Sequence, residues 1–166
     1  MKNIQAYAAN TVSSMEYNYP NNIPNALSKL NNDVFNAFFN YAPSSLAGNV
    51  SSAIGELNNA GRELSNGMDS NKLVGIAGRL RNAAEQLEPV MQANVIPEGY
   101  DPNQPFKKIT NPETGGHYYS NALHLQVVSI PFYQLNGPER VEEMQGQINA
   151  INAAARFFAQ KATEMQ

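Results

Sequence analysis

One apolar seam near the C-terminus constrains the fold of this chain more than any other feature. It runs through residues 141–165 with an unbroken 3-4-3-4-3-4-3 spacing, which places its members on one side of an α-helix about 40 Å long. The seam consists of Val141, Met144, Ile148, Ile151, Ala155, Phe158, Ala162 and Met165. The flanking residues Gln145, Gln147, Asn152 and Ala154 are neutral, whereas an isolated dimeric coiled coil more often carries charges there. The pattern therefore predicts a helix packed inside a bundle.

The start of this helix is marked by local signals. Asn136 and Gly137 interrupt the preceding segment, and Pro138 follows at a position that suits the first helical turn. Glu139, Glu142 and Glu143 place negative charge near the positive end of the helix dipole. We predict a helix over residues 138–164.

Similar stripes occur earlier in the chain and predict three further main helices, near 25–41, 45–65 and 70–94. Asp69 or Ser70 is a suitable cap for the third of these, and a weaker N-terminal helix must end before Pro20. We therefore expect a mainly α protein, a four- to five-helix bundle, that forms a single domain over residues 1–166.

Glycines interrupt the two central helices of this prediction. Each lowers helix propensity by about 1 kcal/mol relative to Ala, a cost that close approach of two backbones commonly offsets. We expect such close packing, rather than a ligand, beside Gly48, Gly55, Gly61, Gly75 and Gly78.

The helical pattern stops before the last helix. Five prolines or glycines between residues 97 and 112 exclude a long helix there. The segments that follow are rich in aromatic and β-branched residues, and Asn111-Pro-Glu-Thr-Gly-Gly is typical of a turn. We predict a β-hairpin or extended insertion at about 96–135, before the last long helix.

Charge and composition exclude several classes of function. The net charge is -3 and the 11 Lys and Arg residues are dispersed, so we expect no nucleic-acid partner. The chain has no Cys, and no apolar stretch approaches the length of a transmembrane helix. Residues 1–17 contain no apolar signal-peptide core. The sequence fits a soluble protein, either cytoplasmic or exported without a classical signal peptide.

Catalytic and metal-binding patterns are sparse. His117 and His124 are the two histidines, and neither has a carboxylate at the spacing of a metal site. A hydrolase that pairs either histidine with Ser120 or Ser129 would have no recognisable nucleophile motif. We expect no metal, no cofactor and a protein that is not an enzyme.

Partner binding is the remaining prediction. Only 15% of residues are charged, and 23 are Asn, so the surface repels little and suits contact with a partner or a second copy. The insertion adds aromatic residues that suit interfaces. The predicted partner-binding residues are Tyr100, Phe106, His117, Tyr118, Tyr119 and His124.

The sequence therefore favours a non-enzymatic interaction or assembly protein, such as a component of a particle or secretion apparatus, or an inhibitor. It would bind a protein partner or itself through neutral polar helix faces and the aromatic hairpin. Two alternatives stand beside it, namely a bundle that holds a small apolar ligand and a hydrolase that uses the hairpin histidines.

Overall fold

Five helices make up most of the chain that the structure describes. This computed structural model describes residues 4–65, 67–94, 107–110, 117–120 and 137–165. The helices are α1 (Ile4–Glu16), α2 (Ile23–Phe38), α3 (Ala47–Leu64), α4 (Ser70–Gln92) and α5 (Gly137–Glu164). Short 3₁₀ turns at Phe39–Tyr41 and Ser44–Leu46 connect α2 to α3. The predicted mainly α bundle is confirmed.

Several helix boundaries lie where local chemistry places them. Asp69 precedes α4, and its side chain accepts a hydrogen bond from the backbone N–H of Lys72 at 2.8 Å. Pro24 occupies the first turn of α2, where its missing N–H costs no helical hydrogen bond. After α3 the chain turns at Gly67, whose φ of +96° is a backbone conformation that favours glycine. These signals explain why the bounds were predictable from the sequence.

Helix α5 lies at the centre of the bundle. It packs most extensively against α4 and α1 and also contacts α2, while α3 packs between α2 and α4. Ile148, Ile151 and Phe158 from the predicted seam are buried, whereas Met165 at its end is 50% exposed. Residues outside the seam are buried as well, namely Ala150, Ala153, Ala154 and Phe157. A helix covered on three sides buries more than one stripe, as the neutral flanks predicted.

The prediction for the central glycines is wrong. A Cβ at Gly48, Gly55, Gly61 or Gly78 would meet no atom within 4 Å, and one at Gly75 would only touch a Glu63 oxygen at 4.0 Å. These glycines face away from the neighbouring helices, so no close backbone approach offsets their cost. The tight contact is at Gly146 of α5 instead, where a Cβ would lie 2.5 Å from Cδ2 of Tyr7.

Two short strands fall inside the predicted insertion. β1 (Lys107–Thr110) and β2 (His117–Ser120) pair antiparallel, with Ile109 opposite Tyr118 and Lys108 opposite Tyr119. The rest of the predicted range 96–135 lies outside the described residues.

A helix that crosses a lipid bilayer must be both long and apolar over its whole span. None of the described helices is both long enough and apolar enough to cross one.

Candidate functional site

The predicted partner-binding residues are only partly described. His117, Tyr118 and Tyr119 are consecutive residues of β2, and His117 pairs with Thr110 across the hairpin. Tyr100, Phe106 and His124 lie outside the described residues. The hairpin therefore stays a predicted contact region.

A second aromatic site, which sequence analysis missed, lies at the end of α2 and the start of the 3₁₀ turn that follows it. The rings of Phe35 and Phe39 stack with centroids 4.5 Å apart and planes 20° from parallel. Phe35 is 40% exposed and Phe39 is 55% exposed. They follow the buried positions Val34 and Phe38 by one residue each, so both rings lie beside the apolar stripe of α2 rather than within it. The available signal was a pair of aromatics four residues apart outside that stripe.

An open groove of about 630 Å³ continues from Phe35 between α2 and α3. Four of its seven lining residues have neutral polar side chains, and the lining consists of Asn25, Ser28, Lys29, Asn31, Asn32, Phe35 and Ile54. Asn31 Nδ2 donates a 2.6 Å hydrogen bond to Asn58 Oδ1 across the two helices. The Oδ1 atom of Asn31 is buried and accepts no hydrogen bond from the described residues. We call this groove, with Phe35 and Phe39, the amide–aromatic face.

Charge on this face is largely neutralised. Lys29 Nζ lies 2.6 Å from Asp33 Oδ2, one helical turn away on α2. The Lys29 side chain is 72% exposed, so the pair contributes little to stability. Because Lys29 and Asp33 neutralise each other, the face carries hydrogen-bonding amides and stacked rings with little net charge.

A buried polar cluster joins α4 to the start of α5. Arg140 is 4% exposed, and its guanidinium lies 4.8 Å from the centre of the Tyr41 ring. Arg140 Nη1 lies 3.3 Å from Asn94 Oδ1, while Asn94 Nδ2 donates to the carbonyls of Tyr41 and Val90 at 3.1 and 2.8 Å. Burial lowers the pKa of Arg140 below its ordinary value, although the nearby Tyr41 opposes this. We call these residues the α4–α5 clamp, because they join the two sides of the insertion.

A second charged cluster ties α3 to α4 at the surface. Arg79 Nε donates to Glu63 Oε1 at 2.7 Å, and Arg79 Nη1 lies 3.3 Å from Glu56 Oε1. The hydrogen bond to Glu63 raises the pKa of Arg79. Every ionisable group here has a partner of opposite charge, which is the pattern of a structural contact rather than a reactive centre.

Groups that could bind a metal or carry out catalysis are sparse among the described residues. Within the described ranges, His and the acidic residues form no group of three that could hold a metal ion. Of the residues in the hydrolase alternative, His117 and Ser120 lie at opposite ends of β2, and His124 and Ser129 lie outside the description. No known protein family, curated protein or solved structure matches this chain.

Proposed function

We propose that this chain is a non-enzymatic assembly protein that binds protein, in the first instance a second copy of itself, through the amide–aromatic face. The observation that carries the proposal is the exposed stack of Phe35 and Phe39 beside a neutral groove. Aromatic side chains are enriched in the cores of protein interfaces, and charged residues are depleted there.

A second copy is the favoured occupant because the face is self-complementary. Each Asn side chain carries both donors and an acceptor, so an Asn-rich face offers a copy of itself the partners it needs. In a two-fold dimer the same patch contributes from both sides. The pairing of Lys29 with Asp33 keeps like charges from opposing each other across such a contact.

The groove supplies area that the rings alone lack. Stable interfaces bury about 800 Å² on each partner, more than two half-exposed rings provide. The groove continues from Phe35 along α2 to Asn25 and includes Ile54 of α3. The predicted hairpin residues Tyr118 and Tyr119 form a second contact region in this proposal.

The alternatives have less support. Both cavities have linings that mix polar and apolar surface in similar amounts, whereas a bundle that holds a small apolar ligand would need a predominantly apolar lining. For the hydrolase, no nucleophile motif surrounds Ser120 or Ser129, and His124 and Ser129 lie outside the described residues.

The experiment measures solution mass by sedimentation velocity from about 1 µM to about 1 mM, the range of weak association. We expect the mass to rise with concentration. Replacing both Phe35 and Phe39 by Ala should weaken association at least about tenfold, the equivalent of 1.4 kcal/mol.

The matched control is a double variant with Tyr17→Ala and Val74→Ala. These residues are 72% and 52% exposed but lie outside the amide–aromatic face, so this variant should associate as the wild type does. A wild-type chain that stays monomeric over the whole range would show that self-association is wrong. Equal weakening in both double variants would show that exposed apolar area, rather than this face, drives association.

A further inference from the structure

A small cleft opens between α1, α2 and α5, apart from the amide–aromatic face except for Lys29 at its edge. Its volume is about 180 Å³, close to the roughly 150 Å³ that holds a benzene molecule in other proteins. Residues from three helices line it, namely Tyr7, Asn10, Thr11, Ser14, Ala26, Lys29, Leu30, Asp33 and Gln147. The cleft therefore has the size of a small-molecule site, and most of the residues that line it have polar side chains.

Gln147 of α5 forms the buried part of this lining. Its side chain is 4% exposed on the central helix of the bundle. No hydrogen bond joins its amide to another of the described residues. The amide atoms are not among the fully buried, unpartnered atoms of the described residues, so they are open to the cleft and can donate a hydrogen bond to, and accept one from, a molecule bound there.

The walls around Gln147 are ordered by local contacts. Thr11 Oγ1 donates to the Tyr7 carbonyl at 2.9 Å, which directs its hydrogen away and leaves the oxygen lone pairs as acceptors. The Tyr7 ring packs directly on Gly146, the residue before Gln147. At the edge, Lys29 and Asp33 neutralise each other at 2.6 Å. The cleft thus offers neutral donors and acceptors and no uncompensated charge.

We propose that this cleft binds a small uncharged molecule that carries a hydrogen-bond donor beside an acceptor. A carboxamide or lactam forms two parallel hydrogen bonds with a Gln side chain, and two adjacent hydroxyl groups match the same pair. The volume limits the ligand to about a dozen non-hydrogen atoms. This proposal does not depend on self-association of the chain.

The test is a titration of ¹⁵N-labelled protein, followed by the side-chain NH₂ signals of Gln147. Nicotinamide and uracil represent the amide source, D-ribose and D-glucose the hydroxyl source, and benzene and acetate are the apolar and charged controls. We expect saturable chemical-shift changes at Gln147 with either the amide probes or the hydroxyl probes. The class of probe that gives them identifies the ligand chemistry. Gln147→Leu should weaken that binding at least tenfold.

Gln145→Leu is the matched control, because Gln145 lies on the same helix but is bonded to Asn149 at 2.8 Å. It should bind the probe as the wild type does, and so should the Phe35→Ala, Phe39→Ala double variant, which separates this proposal from the assembly proposal. If Gln147→Leu does not fold, Thr11→Val serves as the second variant with the same expectation.

Three results would overturn the proposal. The first is the absence of saturable shifts with every neutral polar probe, which would mean that the cleft holds water only. The second is binding of benzene or acetate as tight as that of the best polar probe. The third is unchanged binding in both the Gln147 and the Thr11 variants.

Discussion

Among the glycines that the structure describes, Gly146 is the one whose missing side chain makes room for another residue. An added Cβ would lie 2.5 Å from Cδ2 of Tyr7, and the ring belongs to a different helix. Gly146→Ala must therefore displace α1 or the Tyr7 ring from the core, and overpacking of this kind costs about 1–3 kcal/mol. We expect the free energy of unfolding, measured by urea denaturation, to fall by that amount.

The matched control for this prediction is Gly78→Ala on α4. A Cβ there meets no atom within 4 Å, so only helix propensity changes and the free energy of unfolding should rise by up to about 1 kcal/mol. Combining Gly146→Ala with Tyr7→Ala should recover part of the loss by removing the obstructing ring. If Gly146→Ala and Gly78→Ala both raise or both lower the free energy of unfolding, the contact between Gly146 and Tyr7 does not explain the effect.

The Tyr19 hydroxyl provides a residue-scale prediction about pH. Burial is the main cause that raises the pKa of Tyr19, with Lys161 opposing it and Glu164 adding to it. Because the pKa is higher in the folded chain, the associated stability is present below the ordinary tyrosine pKa of about 10 and is lost as pH rises through the folded value. Unfolding measured between about pH 8 and 11 should show this loss reduced in Tyr19→Phe. Tyr17→Phe, at an exposed position, is the control that should follow the wild type.

At the scale of helices, most of the fold could be predicted because its signals are local. The cap at Asp69, the proline early in α2 and the glycine after α3 each determine a boundary through groups a few residues apart. The seam of α5 likewise needs only sequence spacing. The glycine prediction failed because the spacing of Gly75 and Gly78 does not show whether another helix covers them, and in the structure none approaches within 4 Å of a Cβ at Gly78.

The α4–α5 clamp yields a prediction at the junction of two helices. Asn94 is 6% exposed, and its side chain bonds to the Tyr41 and Val90 carbonyls and to Arg140. Asn94→Ala leaves these buried groups with fewer partners, and each such loss costs about 1–3 kcal/mol. We expect the free energy of unfolding to fall by at least about 2 kcal/mol, measured by urea denaturation.

Asn82→Ala, in α4 about three turns before Asn94, is the control. Its amide also bonds to a side chain, Glu56 Oε2 at 3.3 Å, but this contact is exposed, so the change should stay within about 0.5 kcal/mol. If Asn94→Ala lowers the free energy of unfolding as little as Asn82→Ala does, the clamp does not stabilise the contact between α4 and α5.

At the scale of the whole molecule, the candidate sites were harder to predict than the helices. In the sequence, Gln147 is only a neutral residue beside the α5 seam. It is buried in a cleft because α1 and α2 pack against α5. Phe35 and Phe39 were missed because their exposure depends on which side of α2 the bundle covers. Tertiary contacts between distant segments create both features, so spacing along the chain does not reveal them.

The bundle and its insertion should be separable. The buried members of the described hydrophobic core all lie on α1 to α5, and Asn94 and Arg140 already bond to each other at the two sides of the insertion. Replacing residues 95–136 by a Gly-Ser linker of about six residues matches connections common between packed helices. We expect this variant to melt cooperatively within about 5 °C of the full chain, measured by circular dichroism. Non-cooperative melting would show that the insertion completes the core.

The same variant distinguishes the two proposed contact regions. If the amide–aromatic face on α2 drives association, the variant should have the same concentration dependence of mass as the full chain, because Phe35 and Phe39 are retained. If Tyr118 and Tyr119 of the hairpin carry the contact, association should be lost together with the insertion while the fold persists. Combining the linker with Phe35→Ala and Phe39→Ala completes the comparison, because it should abolish association under the first account and change nothing further under the second.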